Sequence, residues 1–210
     1  MCNRVRQIAV MMATILMLSA CALPHYVHSD YAQYLANNRG QTAFPRISVK
    51  AYYYLDEKTQ NHQKEIRSIM TGYANQWIVE FGPILDSTMQ FGDIHQAFIS
   101  LEKSDAPSQP NDLLLSFKLV DYRFEGFEAT VNLKITATYK GTILFEKPYE
   151  ATGRSQGAKM FWGGAFGMKN AIQQSTKLAL DSILSRFMSD LRDQKLAILE
   201  TSFVLNPKLI

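Results

Sequence analysis

Hydrophobic positions repeat with two different periods along this chain. Across 129–139, Val131, Leu133 and Ile135 alternate with Asn132, Lys134 and Thr136. That two-residue repeat belongs to a strand with one solvated face. Leu113 to Phe124 precedes it and Thr142 to Ala151 follows it as further strands, with Lys140-Gly141 as the tight turn before the last. Arg46 to Tyr54 is alternating, β-branched and aromatic, which predicts another strand. Ile94 to Leu101 is a weaker strand candidate, and 104–112, with Pro107 and Pro110, reads as a loop.

Elsewhere the period lengthens. Ile66, Met70, Tyr73, Trp77 and Phe81 recur at helical spacing, predicting an amphipathic helix that Gly82-Pro83 ends or kinks. Trp77 to Phe81 also suits a strand. A short helix over Ile84 to Phe91 is expected to stop at Gly92. A long helix is predicted from Lys169 to Gln194, its apolar stripe running from Ile172 through Leu180, Ile183 and Phe187 to Leu191. The apolar stretch 196–205 is expected to pack or to add an edge strand. The order β-α-(β)-β-β-β-α predicts an α+β fold, a mainly antiparallel sheet with two amphipathic helices packed on one face.

The first twenty-one residues have a different character. Arg4 and Arg6 precede an uncharged apolar run from Ile8 to Leu18, and Ser19-Ala20 then sit before Cys21. The run is about eleven residues, short of the roughly twenty that span a bilayer. This is the form of a secretory signal peptide, and Leu18-Ser19-Ala20-Cys21 resembles a bacterial lipobox. The expected organisation is therefore a cleaved leader over 1–20, a lipidated N-terminus and tether over 21–45, and one α+β periplasmic domain over 46–210. Within the tether, Tyr31, Tyr34 and Leu35 suit a short helical turn against the domain; the alternative is a flexible linker. Ala22, rather than Asp, follows the cysteine, which resembles the signal for release to the outer membrane.

Composition narrows the chemistry. Cys2 lies in the leader, so Cys21 is the single cysteine of the mature chain and no internal disulfide is expected. Removing Arg4 and Arg6 lowers the formal charge from +3 to +1. No basic block remains to favour nucleic acid. His25 and His28 are three residues apart, without a cysteine or acidic cluster at metal-ligand spacing. Asp93 and His95 suggest a dyad but lack a nucleophile context, and the carboxylates are scattered singly. No catalytic residue, metal or cofactor is expected.

One downstream segment stands out. Residues 153–167 combine glycines with Phe161, Trp162 and Phe166, and with Arg154 and Lys159. The segment lacks the Gly-Lys-Ser/Thr ending of a P-loop and does not fit Gly-x-Gly-x-x-Gly. Its aromatics either anchor a protein interface or dip into lipid headgroups, or they fold back to seal the core. Phe161, Trp162, Phe166 and Arg154 are the candidate partner-binding residues.

The lipobox, the strand Leu113 to Leu119, the strand pair 129–139 and 143–149, the turn Ala151-Thr152-Gly153-Arg154 and the helix 171–191 together resemble the YajG-like family of bacterial outer-membrane lipoproteins. The chain is more distantly similar to auxiliary lipoproteins of envelope transport systems. The resemblance covers most of 46–192 and implies a periplasm-facing, lipid-anchored, non-enzymatic α+β domain. It supplies no catalytic residues. The expectation is thus an accessory or assembly component of an envelope complex, bound to the membrane through Cys21 and to an envelope protein partner. The alternative is a carrier or binder of a lipid or other apolar ligand, held between helices and sheet near Trp77, Phe81 and Phe187.

Overall fold

A computed structural model describes residues 23–67, 75–107, 112–156 and 164–204. The chain is an α+β fold built on two sheets. The smaller contains β1 (Leu23–Tyr26), β3 (Gln63–Arg67) and β4 (Asn75–Glu80), in the order β1-β4-β3. The larger contains β2 (Lys50–Leu55), β5 (Ser100–Lys103), β6 (Leu113–Glu125), β7 (Glu128–Tyr139) and β8 (Thr142–Arg154), in the order β5-β2-β6-β7-β8. Both sheets are mixed. β1 runs parallel to β4, and β2 runs parallel to both β5 and β6. The long ladders β6–β7 and β7–β8 are antiparallel.

Strand β7 shows why the large sheet has an inside and an outside. Ala129, Val131, Leu133, Ile135 and Ala137 are fully buried, while the intervening residues face solvent. Helix α4 (Gly164–Val204) lies against β7 and β8. It buries Ile172, Ala179, Leu180, Ile183, Leu184, Phe187 and Met188 on that inner face. Each of these side chains larger than alanine contributes roughly 1.5–3 kcal/mol by leaving water. The contact is close at Gly153, where an added Cβ would lie 2.0 Å from the Ser175 carbonyl oxygen and 2.6 Å from the Ala179 nitrogen. Only a residue without a side chain lets the helix backbone reach the strand there.

Three further helices are short: α1 (Tyr31–Asn37), α2 (Glu57–Gln60) and α3 (Phe81–Phe91). The Asp56 side chain caps α2 by accepting from the Thr59 backbone N–H at 2.9 Å. α1 packs on α3.

Within the helix expected over 66–81, the described residues 66–67 and 75–80 lie instead in the antiparallel strands β3 and β4. A spacing of four residues is one helical turn, but it is also even, so it fits a strand equally well. Within β4 the deciding pattern is alternation: Trp77 and Val79 are buried while Gln76, Ile78 and Glu80 are not. Met70 and Tyr73 lie outside the described residues. Gly82-Pro83 opens α3 rather than closing a helix, since proline is tolerated in a first turn. Gly82 meets the Gln60 carbonyl oxygen, which an added Cβ would approach to 2.2 Å.

α3 does end at Gly92, though with a φ of −76° rather than in the left-handed region. Glycine is needed because a Cβ would sit 2.4 Å from the Thr88 carbonyl oxygen. The weak strand expected over 94–101 resolves into a 3-10 turn, Asp93–Ala97, followed by β5. The apolar stretch 196–205 continues α4 as helix up to Val204, not as an edge strand.

The largest correction concerns the tether. Residues from Leu23 onward belong to the domain: β1 is a strand of the small sheet, and Val27, Tyr31 and Leu35 are buried. The helical turn around Tyr31 and Leu35 forms as α1; the flexible linker does not. What hid it is that β1 is four residues long with no internal alternation, and its partner β4 is some fifty residues away in sequence.

Candidate binding surface

The groups that sequence alone marks for chemistry have structural employment. The His25 ring nitrogen Nε2 bonds to Asn75 Oδ1 at 2.9 Å, and the ring stacks on Trp77. His28 Nδ1 contacts Glu80. The two histidines therefore tie β1 and the following turn to β4, rather than sharing a metal. Among the described residues no group of three or more His, Cys, Asp or Glu is placed to hold a metal ion. Asp93 accepts from the backbone N–H of Gly40 (2.9 Å) and of Thr42 (3.3 Å), so it clamps a loop instead of orienting His95.

The most concentrated polar network joins the N-terminal segment to α4. Lys169 Nζ donates to Ser29 and pairs with Asp30 at 2.9 Å. Gln173 Nε2 donates to the Val27 carbonyl (2.9 Å) and to Asp30 (2.6 Å). Thr42 Oγ1 donates to Asp181 Oδ2 at 2.7 Å, and Lys177 pairs with the same oxygen at 2.5 Å. Lys177 and Asp181 are 3% and 7% exposed, so their charges satisfy one another in a nearly dry site.

Nearby, the Tyr31 hydroxyl is buried without a hydrogen bond of ordinary geometry. Burial pushes its pKa far up, with the Asp181 carboxylate adding to the shift. Burial likewise raises Tyr34 to about 12. Both rings stay protonated at any pH the fold meets, which suits a structural cluster and not an acid-base pair. His62 is pulled below its ordinary value, first by burial and then by the Lys64 and Lys58 charges.

The three rings expected near an apolar ligand are all fully buried, each among protein groups. Trp77 stacks with His25, Phe81 packs on Tyr122, and Phe187 packs against Phe117, Phe145 and Tyr149. None of them lines the open hollows around Gly126 at the β6–β7 end.

One end of the molecule gathers apolar side chains around an open groove. The β6–β7 turn, Gly126-Phe127, has φ values of 56° and 67°, with Glu125 and Glu128 paired across it. This is a two-residue hairpin turn with both central residues left-handed. Lys140-Gly141 at the opposite end has the same form, but with glycine second. A phenylalanine in that position costs on the order of 1–2 kcal/mol. Ser155, just past β8, holds the turn by donating its N–H (3.1 Å) and its hydroxyl (2.9 Å) to the Phe127 carbonyl.

Phe124, Glu125, Gly126 and Phe127 with Ile66, Arg67 and Met168 line a groove of 320 Å³. A second hollow of 310 Å³ lies beside it around Arg123, Glu125, Glu128 and Thr130. Arg154 borders this end, pairing with Glu128 at 2.6 Å. Arg67 pairs with Glu65 at 2.5 Å and Arg123 with Asp121 at 2.8 Å, so each of the three arginines here has an acidic neighbour. Apolar and glycine residues share this surface with the three paired arginines, and exposed Glu125 leaves one more acidic than basic side chain.

Of the residues singled out from sequence, Arg154 is thus brought to this end by the β7–β8 register. Phe166 falls in the first turn of α4, two residues before Met168. Cys21, Phe161 and Trp162 lie outside the described residues. Phe124, Phe127, Ile66 and Met168 were not foreseen as a group. The available signal was Phe127 itself, an aromatic at a two-residue turn between well-patterned strands.

No family model and no curated protein matches the chain. Among solved structures, it is similar to the crystal structure of protein XCC0632 from Xanthomonas campestris, of family DUF330, at 12% identity and a TM-score of 0.42. The similarity covers 73% of this chain and 92% of that one.

Proposed function

We propose that this chain is a lipid-anchored, non-enzymatic component of a bacterial outer-membrane assembly, acylated at Cys21 and facing the periplasm. The observation that carries the reading is the junction between motif and fold. Leu18-Ser19-Ala20-Cys21 is followed by Ala22 alone before β1 begins at Leu23. A folded domain that starts next to the cysteine suits a mature protein whose first residue is that cysteine. Support for a binding role comes from Arg154, which the β7–β8 register brings to the end of β8 just before the segment that holds Phe161, Trp162 and Phe166.

The partner in this reading is a protein of the same membrane, met by Arg154 and by the aromatics Phe161, Trp162 and Phe166 that follow it in sequence. Crosslinking in intact cells, with the captured protein identified, tests it. Replacement of Trp162 by alanine should leave the folded domain's thermal transition unchanged and abolish recovery of the partner. Undiminished capture with the variant contradicts the assignment of that segment.

A further inference from the structure

We infer that the end of the domain carrying Leu23, Ile66, Phe124, Phe127 and Met168 rests directly on the phospholipid surface, so that the domain is docked on the membrane and not suspended above it. The inference rests on acylation at Cys21 and adds an orientation that acylation alone does not give.

Reach limits how far the domain can stand from the bilayer. A single residue, Ala22, separates the acylated position from β1, and one residue spans at most about 3.6 Å. Leu23 therefore sits within one or two residue lengths of the headgroups. Register then fixes what lies beside it. Leu23 pairs with Asn75 of β4, and the neighbouring Gln76 pairs with Arg67 of β3. Arg67 is two strand spacings from the anchor strand, about 10 Å, and it lines the groove with Ile66, Phe124, Phe127 and Met168.

The surface has the character that such a position requires. Leu23 is 61% exposed and Phe124 and Phe127 are half-buried, while Ile66 and Met168, 9% and 6% exposed, belong to the core behind them. The three arginines are each paired and Glu125 adds an exposed carboxylate, so contact comes from Leu23 and the open edges of Phe124 and Phe127 rather than from attraction to anionic lipid. β8 places the other end of the large sheet far away: Thr142 and Arg154 close its thirteen residues, about 40 Å apart.

The test uses the mature lipidated protein, reconstituted in phosphatidylethanolamine–phosphatidylglycerol vesicles that contain a headgroup-nitroxide lipid. Glu125→Cys and Thr142→Cys each supply a single free thiol for a fluorophore. Quenching at 125 and none at 142 is expected, persisting when salt is raised. Phe127→Asn keeps a residue tolerant of positive φ and should reduce quenching at 125. Equal quenching at both positions, stronger quenching at 142, loss of the signal in salt, or indifference to Phe127→Asn overturns the orientation. Mass spectrometry of the same preparation separates the two ideas: an unacylated Cys21 removes the proposed function, whereas an acylated protein unquenched at 125 removes the docking alone.

Discussion

Lys177 and Asp181 show how strongly one residue can depend on another here. Both are nearly buried, four residues apart on α4, and Thr42 shares the carboxylate oxygen. Desolvation makes such a pair a modest net contributor while it is intact. Removing one member is a different matter, because the other charge is left in a dry site. Asp181→Ala is expected to destabilise the protein by about 3–5 kcal/mol in urea titration. The double replacement of Lys177 by Met and Asp181 by Leu should recover much of that loss. An Asp181→Ala variant within about 1 kcal/mol of the parent would mean that Lys177 finds water or another partner. The pair was invisible in sequence: a lysine and an aspartate four apart on a helix usually mark a solvated face, and only the fold of 23–42 over α4 buries them.

At the scale of elements, Gly153 governs how α4 meets the large sheet. A Cβ there would strike backbone atoms of the helix, which cannot swing aside as a flexible side chain does. Gly153→Ala is predicted to cost about 3 kcal/mol, a fall in Tm of roughly 6–12 °C by calorimetry. An unchanged Tm would show that the helix shifts freely on the strand.

Which elements were legible follows from the range of the forces that set them. β6, β7, β8 and the core of α4 carry their own periodic signal and lie close to their predicted bounds. β3 and β4 suit one helix in sequence because three of the four spacings from Ile66 to Phe81 are four residues, a step that fits both periods. β1 was read as tether because its four residues gain their place from a strand far along the chain. The candidate surface divides in the same way. Arg154 was visible as a charged residue before a glycine-aromatic stretch. Its companions come from β3, the β6–β7 turn and α4, and no local pattern joins them.

Considered whole, the molecule is a mixed five-stranded sheet with α4 on its inner face and a small sheet that carries the N-terminal strand. Polar bonds from Lys169, Gln173 and Asp181 fasten that N-terminal segment to α4, so a force applied at Leu23 is transmitted to the domain without an intervening hinge. On a flexible linker a domain samples every orientation; with one residue before β1, acylation at Cys21, as proposed above, would hold one end of this domain at the membrane.

The most direct measurement is the mass and fragmentation of the N-terminal peptide from native protein extracted from its membrane. The account predicts that the peptide begins at Cys21 and carries thioether-linked diacylglycerol, with residues 1–20 absent. A peptide that retains Met1, or a Cys21 with an unmodified thiol, would contradict it.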